Sequence, residues 1–206
     1  MTFTRGIGLA CGAIIDRIVR WLALSKIHPN ALTFFGLLIN IWAAWLFALA
    51  GTAADPRADF RWAGLVIIGA GLFDMVDGRV ARATSQVTRF GGFFDSVVDR
   101  YSDLALFMGL LVYYARINRF GYIVLTAIVM TGSVMVSYTR ARAENAIPKC
   151  KVGFLERPER IVLLIIGALA NRMAAVLWVL AVLSNWAVAQ RIFYTWQEGK
   201  AIERQQ

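Results

Sequence analysis

At 206 residues, with 59% hydrophobic residues and a mean hydropathy of +0.59, the chain is one domain long and too apolar for a water-soluble globule, which puts it in the membrane class. Its net charge of +9, from 22 Lys and Arg against 13 Asp and Glu, accompanies no nucleic-acid recognition motif, so it suits an anionic leaflet and anionic substrates instead. Two cysteines, Cys11 and Cys150, and a single His28 have no metal or redox spacing, which argues against zinc and disulfide frameworks.

In chain order, residues 6–25 place Ile14, Ile15, Ile18, Trp21 and Leu22 at helical spacing, with Asp16, Arg17 and Arg20 elsewhere, and predict an amphipathic helix lying in the membrane interface. Those charges, with Arg5, interrupt the apolar run too often for a signal peptide. His28, Pro29 and Asn30 lead into the first span, residues 31–51. Pro29 biases the residue before it towards extended backbone, and Asn30 can cap the helix. Residues 120–139 and 173–190 are two further uncharged runs near the roughly 20 residues that cross a bilayer.

Three shorter uncharged runs, residues 62–73, 104–115 and 161–171, cannot alone cross about 30 Å of hydrocarbon. The first is completed from Asp74 onward and the second by residues 93–103, around a polar stretch, DMVDGRVARATSQVTRFGGFFDSVVD, from Asp74 to Asp99. Asp74 and Asp77 are three apart, and Asp95 and Asp99 four apart, so each pair projects from one helical face. Four carboxylates in a membrane are costly and repel one another, so the cluster calls for neutralisation by divalent cations or protons, and a metal site is the stronger reading. Gly78 and Ala81 project no bulk, Arg82 can neutralise phosphate or a neighbouring carboxylate, and Asp103 extends the acidic stripe by one turn, where it could pair with Arg100 or another helix.

With six spans and a cytoplasmic N-terminus, sixteen Lys or Arg fall on the cytoplasmic side and five outside, with Arg100 inside a span. That asymmetry predicts both termini in the cytoplasm and the aspartates at the cytoplasmic ends of the second and third spans. The expected architecture is therefore all-α and integral to the membrane: a single domain over 1–206, with an interfacial helix at about 6–25 and a six-helix bundle over about 31–194. A second charged stretch, SYTRARAENAIPKCKVGFLERPERI, puts Arg140 and Arg142, then Arg157 and Arg160, beside the aspartates in that topology. Positive-inside bias, with Glu144, Glu156 and Glu159 satisfying some of the arginines, accounts for the same residues.

The spacing DxxDGxxARx8GxxxDxxxD resembles the signature of the CDP-alcohol phosphotransferases, eight fixed positions of four residue types. The resemblance implies that Asp74, Asp77, Asp95 and Asp99 hold two divalent cations, Mg2+ or Mn2+, with Asp99 also the general base. It implies that the donor is CDP-diacylglycerol, held by Gly78, Ala81, Arg82 and Gly91, and, through the PNxxT pattern, by Pro29, Asn30 and Thr33. YxRARAE followed by GFLERPER is similar to the bacterial phosphatidylinositol phosphate synthases within that family. That likeness implies that Arg140, Arg142, Arg157 and Arg160 bind the phosphate of inositol phosphate, although position 140 is Arg where that branch typically carries Lys, and the IPKCKV loop is more basic than expected. A homodimer in a bacterial cytoplasmic membrane, with the active site facing the cytoplasm, is also implied. Glycerol 3-phosphate is the rival acceptor. A cation transporter is the alternative from another class, and it would need acidic residues reaching the outer half of the bundle. A DDxxD-type prenyltransferase would leave the Gly, Ala and Arg positions of the motif without a role.

Overall fold

The computed structural model describes residues 29–83, 88–148, 150 and 152–204, and for residues 75–83 it describes the course of the helix alone. The predicted interfacial helix at 6–25 lies outside the described residues. Among those residues all regular structure is helical: α1 (Pro29–Ala50), α2 (Pro56–Ala83), α3 (Arg89–Arg116), α4 (Phe120–Ala146), α5 (Arg157–Leu169) and α6 (Met173–Glu203). Three of them, α1, α4 and α6, are long and apolar enough to cross a membrane. The 28 residues each of α2 and α3 give ample length, about 42 Å at 1.5 Å per residue, but both carry the charges of the motif. At 13 residues, α5 reaches only about 20 Å.

Helix ends follow the local chemistry. α1 begins two residues earlier than the apolar run, because proline's fixed φ suits a first helical position. Asn30 therefore sits inside the first turn rather than at the cap, and the Thr33 hydroxyl donates to the Pro29 carbonyl at 3.3 Å. Thr88 caps α3, its Oγ1 accepting from the Gly91 amide at 2.9 Å. The turn from α3 to α4 passes through Asn118 at φ +54°, a left-handed position that Asn tolerates well. α4 stops at Ala146, just before Ile147 and Pro148, where the proline disfavours helical backbone at the residue preceding it. Pro158 occupies the first turn of α5.

The helices close into a ring. α1 packs on α2 and α3, α2 also on α5, α5 on α6, α6 on α4, and α4 on α3. Glycine lets several of these seams close tightly. A Cβ on Gly109 of α3 would collide with the Ala44 carbonyl of α1, and one on Gly132 of α4 would come within 3.0 Å of the Ser184 side chain on α6. Such close approach is how helices gain packing where lipid removes the hydrophobic drive between them. Phe47, Ile67, Phe107, Leu110, Leu164, Leu177 and Leu180 fill the interior. Trp178, Trp186 and Trp196 point outward, more than half exposed, and so act as lipid-facing or interfacial anchors rather than core.

Chain direction alternates along the sequence, so within the ring α1 and α3, and likewise α4 and α6, are parallel neighbours. Arg116 at the end of α3 donates to the Ala48 carbonyl near the end of α1 at 2.8 Å, so these helices finish together. The starts of α1, α3 and α5 and the ends of α2, α4 and α6 accordingly share the opposite end, where both charged stretches lie.

Candidate active site

Within the ring α2 and α3 both lean on α1, yet neither packs on the other among the described residues. The carboxylate cleft lies where their charged ends face each other. Asp74 of α2 faces Asp95 and Asp99 of α3 across that cleft, and one carboxylate oxygen from each lies within 4.8 Å of the others, all three partly buried. The four-residue spacing on α3 puts its two carboxylates on one face, and α2 brings in the third. The side chains of Asp77, Gly78, Ala81 and Arg82 lie outside the described residues. At the near end of the cleft, a Cβ on Gly91 would stand 3.4 Å from Asn30 Oδ1, which brings the first turns of α1 and α3 together, with Pro29 and Thr33 buried beside them.

Three convergent carboxylates suit a hard divalent cation such as Mg2+ or Mn2+, which prefers oxygen donors. Buried Asp99 Oδ1 fits this use. It faces Arg157 Nη1 at 2.7 Å, an ion pair, yet no N–H is aligned with it as a hydrogen bond. The donor set therefore fits a divalent metal.

The arginines arrive from the other side. Arg157, at the first position of α5, crosses the cleft: its Nη1 lies 2.8 Å from Asp74 Oδ2 and 2.7 Å from Asp99 Oδ1, and its Nε lies 3.5 Å from Asp103 Oδ1. Arg160, one turn on and 2% exposed, donates from Nη2 to Asp103 Oδ2 at 2.7 Å and from Nη1 to the Leu155 carbonyl at 3.3 Å. Arg140 of α4 pairs with Glu144 at 3.2 Å and Glu156 at 2.5 Å. Arg140, Arg157 and Arg160 all line one cavity of about 370 Å3, together with Arg100 and Arg191. Arg142 does not join them. It is exposed and lines a separate groove of about 460 Å3 between α4 and α6, beside Tyr138 and Trp196.

Magnitudes separate these arginines. The pairs of Arg140 are about half exposed, and such pairs contribute about 0.2–1 kcal/mol, so an incoming anion can displace them. Asp103 and Arg160 are 5% and 2% exposed, and removing one partner of a buried pair costs about 3–5 kcal/mol. Arg160 is thus tied to Asp103 and Arg157, 20% exposed, is held by three carboxylates, while Arg140 is the more accessible guanidinium.

Three participants escape a sequence reading. Asp103, expected to pair with Arg100 or another helix and left outside the site, takes the second course and pairs with Arg160 of α5, while the Arg100 guanidinium turns back to Ser96 of its own helix. Arg191, apparently one more basic residue at a span end, is 2% exposed and donates to the carbonyls of Val152 and Val136. A lone arginine only eighteen residues into the apolar α6 is the signal that could have marked it. Leu155 is the third, buried at φ +82°, a strained setting for a leucine that turns its carbonyl to Arg160.

Comparison with known proteins fits this geometry. Residues 26–196 match the family model of the CDP-alcohol phosphatidyltransferases. The chain is 36% identical to the archaetidylinositol phosphate synthase of Pyrococcus horikoshii, over 87% of this chain and 89% of that one. It is 37% identical to the phosphatidylinositol phosphate synthase of Mycobacterium tuberculosis, over 95% of this chain and 91% of that one. A crystal structure of the M. tuberculosis phosphatidylinositol phosphate synthase with CDP-DAG bound superposes with a TM-score of 0.80 at 31% identity, covering 89% of this chain and 94% of that one. Another, of that enzyme in complex with manganese and citrate, superposes with a TM-score of 0.79 at 30% identity, covering 88% of each chain.

Proposed function

The chain belongs to the CDP-alcohol phosphatidyltransferase family, and from that membership we propose that it transfers the phosphatidyl group of CDP-diacylglycerol to a hydroxyl of inositol phosphate, with release of CMP. The observation that carries this reading is the junction of two unlike sites: a three-carboxylate cleft opens beside an arginine-lined cavity, with Arg157 between them. A lipid-linked donor needs the first and a phosphorylated acceptor needs the second.

Asp74, Asp77, Asp95 and Asp99 are the residues that would hold the metal, two ions of Mg2+ or Mn2+. Bound there, divalent cations neutralise the diphosphate of the donor and the charge that develops as CMP departs. Pro29, Asn30 and Thr33 of α1, Gly78, Ala81 and Arg82 of α2 and Gly91 of α3 form the nucleotide side of the cleft. Small residues there let a base and diphosphate approach the helices closely. Asp99 takes the proton from the acceptor hydroxyl, whose oxygen attacks the phosphorus bearing the diacylglycerol, and the bond from that phosphorus to CMP breaks. Arg140 and Arg157 hold the acceptor phosphate, so that its hydroxyl is presented to Asp99 instead of diffusing freely. Arg142, on its separate groove, is outside that set, and Arg160 serves it through Asp103.

The same reading takes all six described helices as the membrane bundle of a single domain over 1–206. The charged end faces the cytoplasm with both termini, residues 6–25 lie in the interface, and the chain forms a homodimer. The sixteen-to-five distribution of Lys and Arg supports that orientation.

The test is CMP release from CDP-diacylglycerol by the purified protein, with inositol 1-phosphate, glycerol 3-phosphate or uncharged inositol as acceptor. The expected result is a clear preference for inositol 1-phosphate. Equal rates with glycerol 3-phosphate would reduce the conclusion to phosphatidyl transfer onto a phosphorylated alcohol.

A further inference from the structure

We propose that Asp103 is a positioning residue for the acceptor cavity, holding the first turn of α5 so that Arg157 stands between the carboxylate cleft and the acceptor phosphate. The inference rests on the reading of the cavity as the seat of a phosphorylated acceptor.

Asp103 is an ionisable side chain deep in an apolar bundle, 5% exposed, one turn beyond Asp99 on α3. A carboxylate is tolerated there only with partners, and three elements supply them. Ser133 of α4 donates its hydroxyl to Oδ2 at 3.1 Å, Arg160 of α5 donates Nη2 to the same oxygen at 2.7 Å, and Arg157 Nε lies 3.5 Å from Oδ1. Arg160 is clasped from its other side by the Leu155 carbonyl, which the left-handed backbone of Leu155 presents. Such strain persists only where the surroundings impose it.

The topology gives this cluster its weight. α3 and α5 do not pack on each other; they occupy opposite sides of the ring, separated by α1 and α2 on one side and by α4 and α6 on the other. The ion pairs of Asp103 and Asp99 link them across the interior, above the apolar core to which both helices contribute. Asp74, Asp99 and Asp103 share one guanidinium, that of Arg157. With Asp103 neutral, only the two cleft carboxylates would pull on Arg157, and the guanidinium would shift away from the acceptor cavity. Asp103 Oδ2 is taken by Arg160 and Ser133, and its buried Oδ1 faces Arg157 Nε at ion-pair distance without an aligned hydrogen bond, so Asp103 acts through these residues and not on substrate.

The experiment compares Asp103→Asn with the wild type in detergent or nanodiscs, measuring KM for inositol 1-phosphate, KM for CDP-diacylglycerol, and binding of Mn2+ alone. The expected result is a rise of about tenfold in the acceptor KM, with the donor KM and Mn2+ affinity within about twofold. Asp103→Glu, which restores the charge, should recover part of that rise. Should Asp103→Asn not fold, Arg160→Lys carries the same test, since it keeps the charge but loses the forked contact to Asp103 and Leu155. Equal movement of both KM values, or of neither, would overturn the proposal, the first outcome by showing a general structural role. Absence of CMP release from the wild type with any phosphorylated acceptor would overturn the functional reading and this inference with it, and is distinguished by needing no variant.

Discussion

The acidic and basic halves of the site are built on different principles. The acids come from a short spaced motif on two helices that share one supporting helix, and the three described carboxylates converge within 4.8 Å. The bases come mostly from α4, α5 and α6, with Arg100 from α3, and the link between the halves, Arg157 to Asp74, joins positions 83 apart in the chain. One half is fixed by helical periodicity, the other by closure of the ring. Altering any one of the acids should therefore strike turnover, whereas each arginine should fail according to its own burial and partners.

The largest effect is expected at the acids. Asp99→Asn keeps the side-chain volume but removes the proton acceptor, and turnover measured as CMP release should fall by about 10²–10⁴-fold. Mn2+ binding should persist in substantial part through Asp74, Asp77 and Asp95; unchanged turnover would remove Asp99 as the base. Next comes Arg157→Gln, which removes the charge shared by three carboxylates. A fall of about a hundredfold in kcat/KM for inositol 1-phosphate is expected, within the 2–5 kcal/mol typical of truncating a buried charged partner. If the donor KM rose as much as the acceptor KM, Arg157 would belong to the acidic half alone.

Smaller effects test the basic half. Arg140→Ala loses only half-exposed pairs in the free protein, so folding should change little while the acceptor KM rises about tenfold, equivalent to about 1.4 kcal/mol. Thermal melting alongside the kinetics separates the two. Arg142→Ala should change either KM by less than about twofold, since its side chain lines another groove. A tenfold effect there would bring that groove into the acceptor path and blur the distinction between the two halves.

Much of the fold was legible beforehand because its signal is local. The uncharged runs gave α1, α4 and α6, and the completion of two short runs by the aspartate motif gave α2 and α3 as continuous helices. Where α1 begins was misjudged by two residues, since proline at a first turn reads in sequence as a boundary before the helix. Asp74, Asp95 and Asp99 were legible as a cluster because spacing on a helix fixes which side chains share a face. Arg142 was grouped with Arg140 by likeness to the phosphatidylinositol phosphate synthases; two residues on a helix turn a side chain through about 200°, and in the fold the two arginines line different grooves. Asp103 and Arg191 were visible as charges, but their partners were not.

By itself, the sequence determined an all-helical membrane chain, the apolar lengths of its helices and a face of carboxylates suited to divalent metal. These depend on composition and on a repeat of 3.6 residues, which act within a few turns. Only the tertiary structure decided the order of helices around the ring, the pairing of Asp103 with Arg160, and which arginines remain open to a ligand. Those outcomes depend on burial, since the same guanidinium is loosely held where water reaches its partner and firmly held where it does not, and burial is a property of the closed ring.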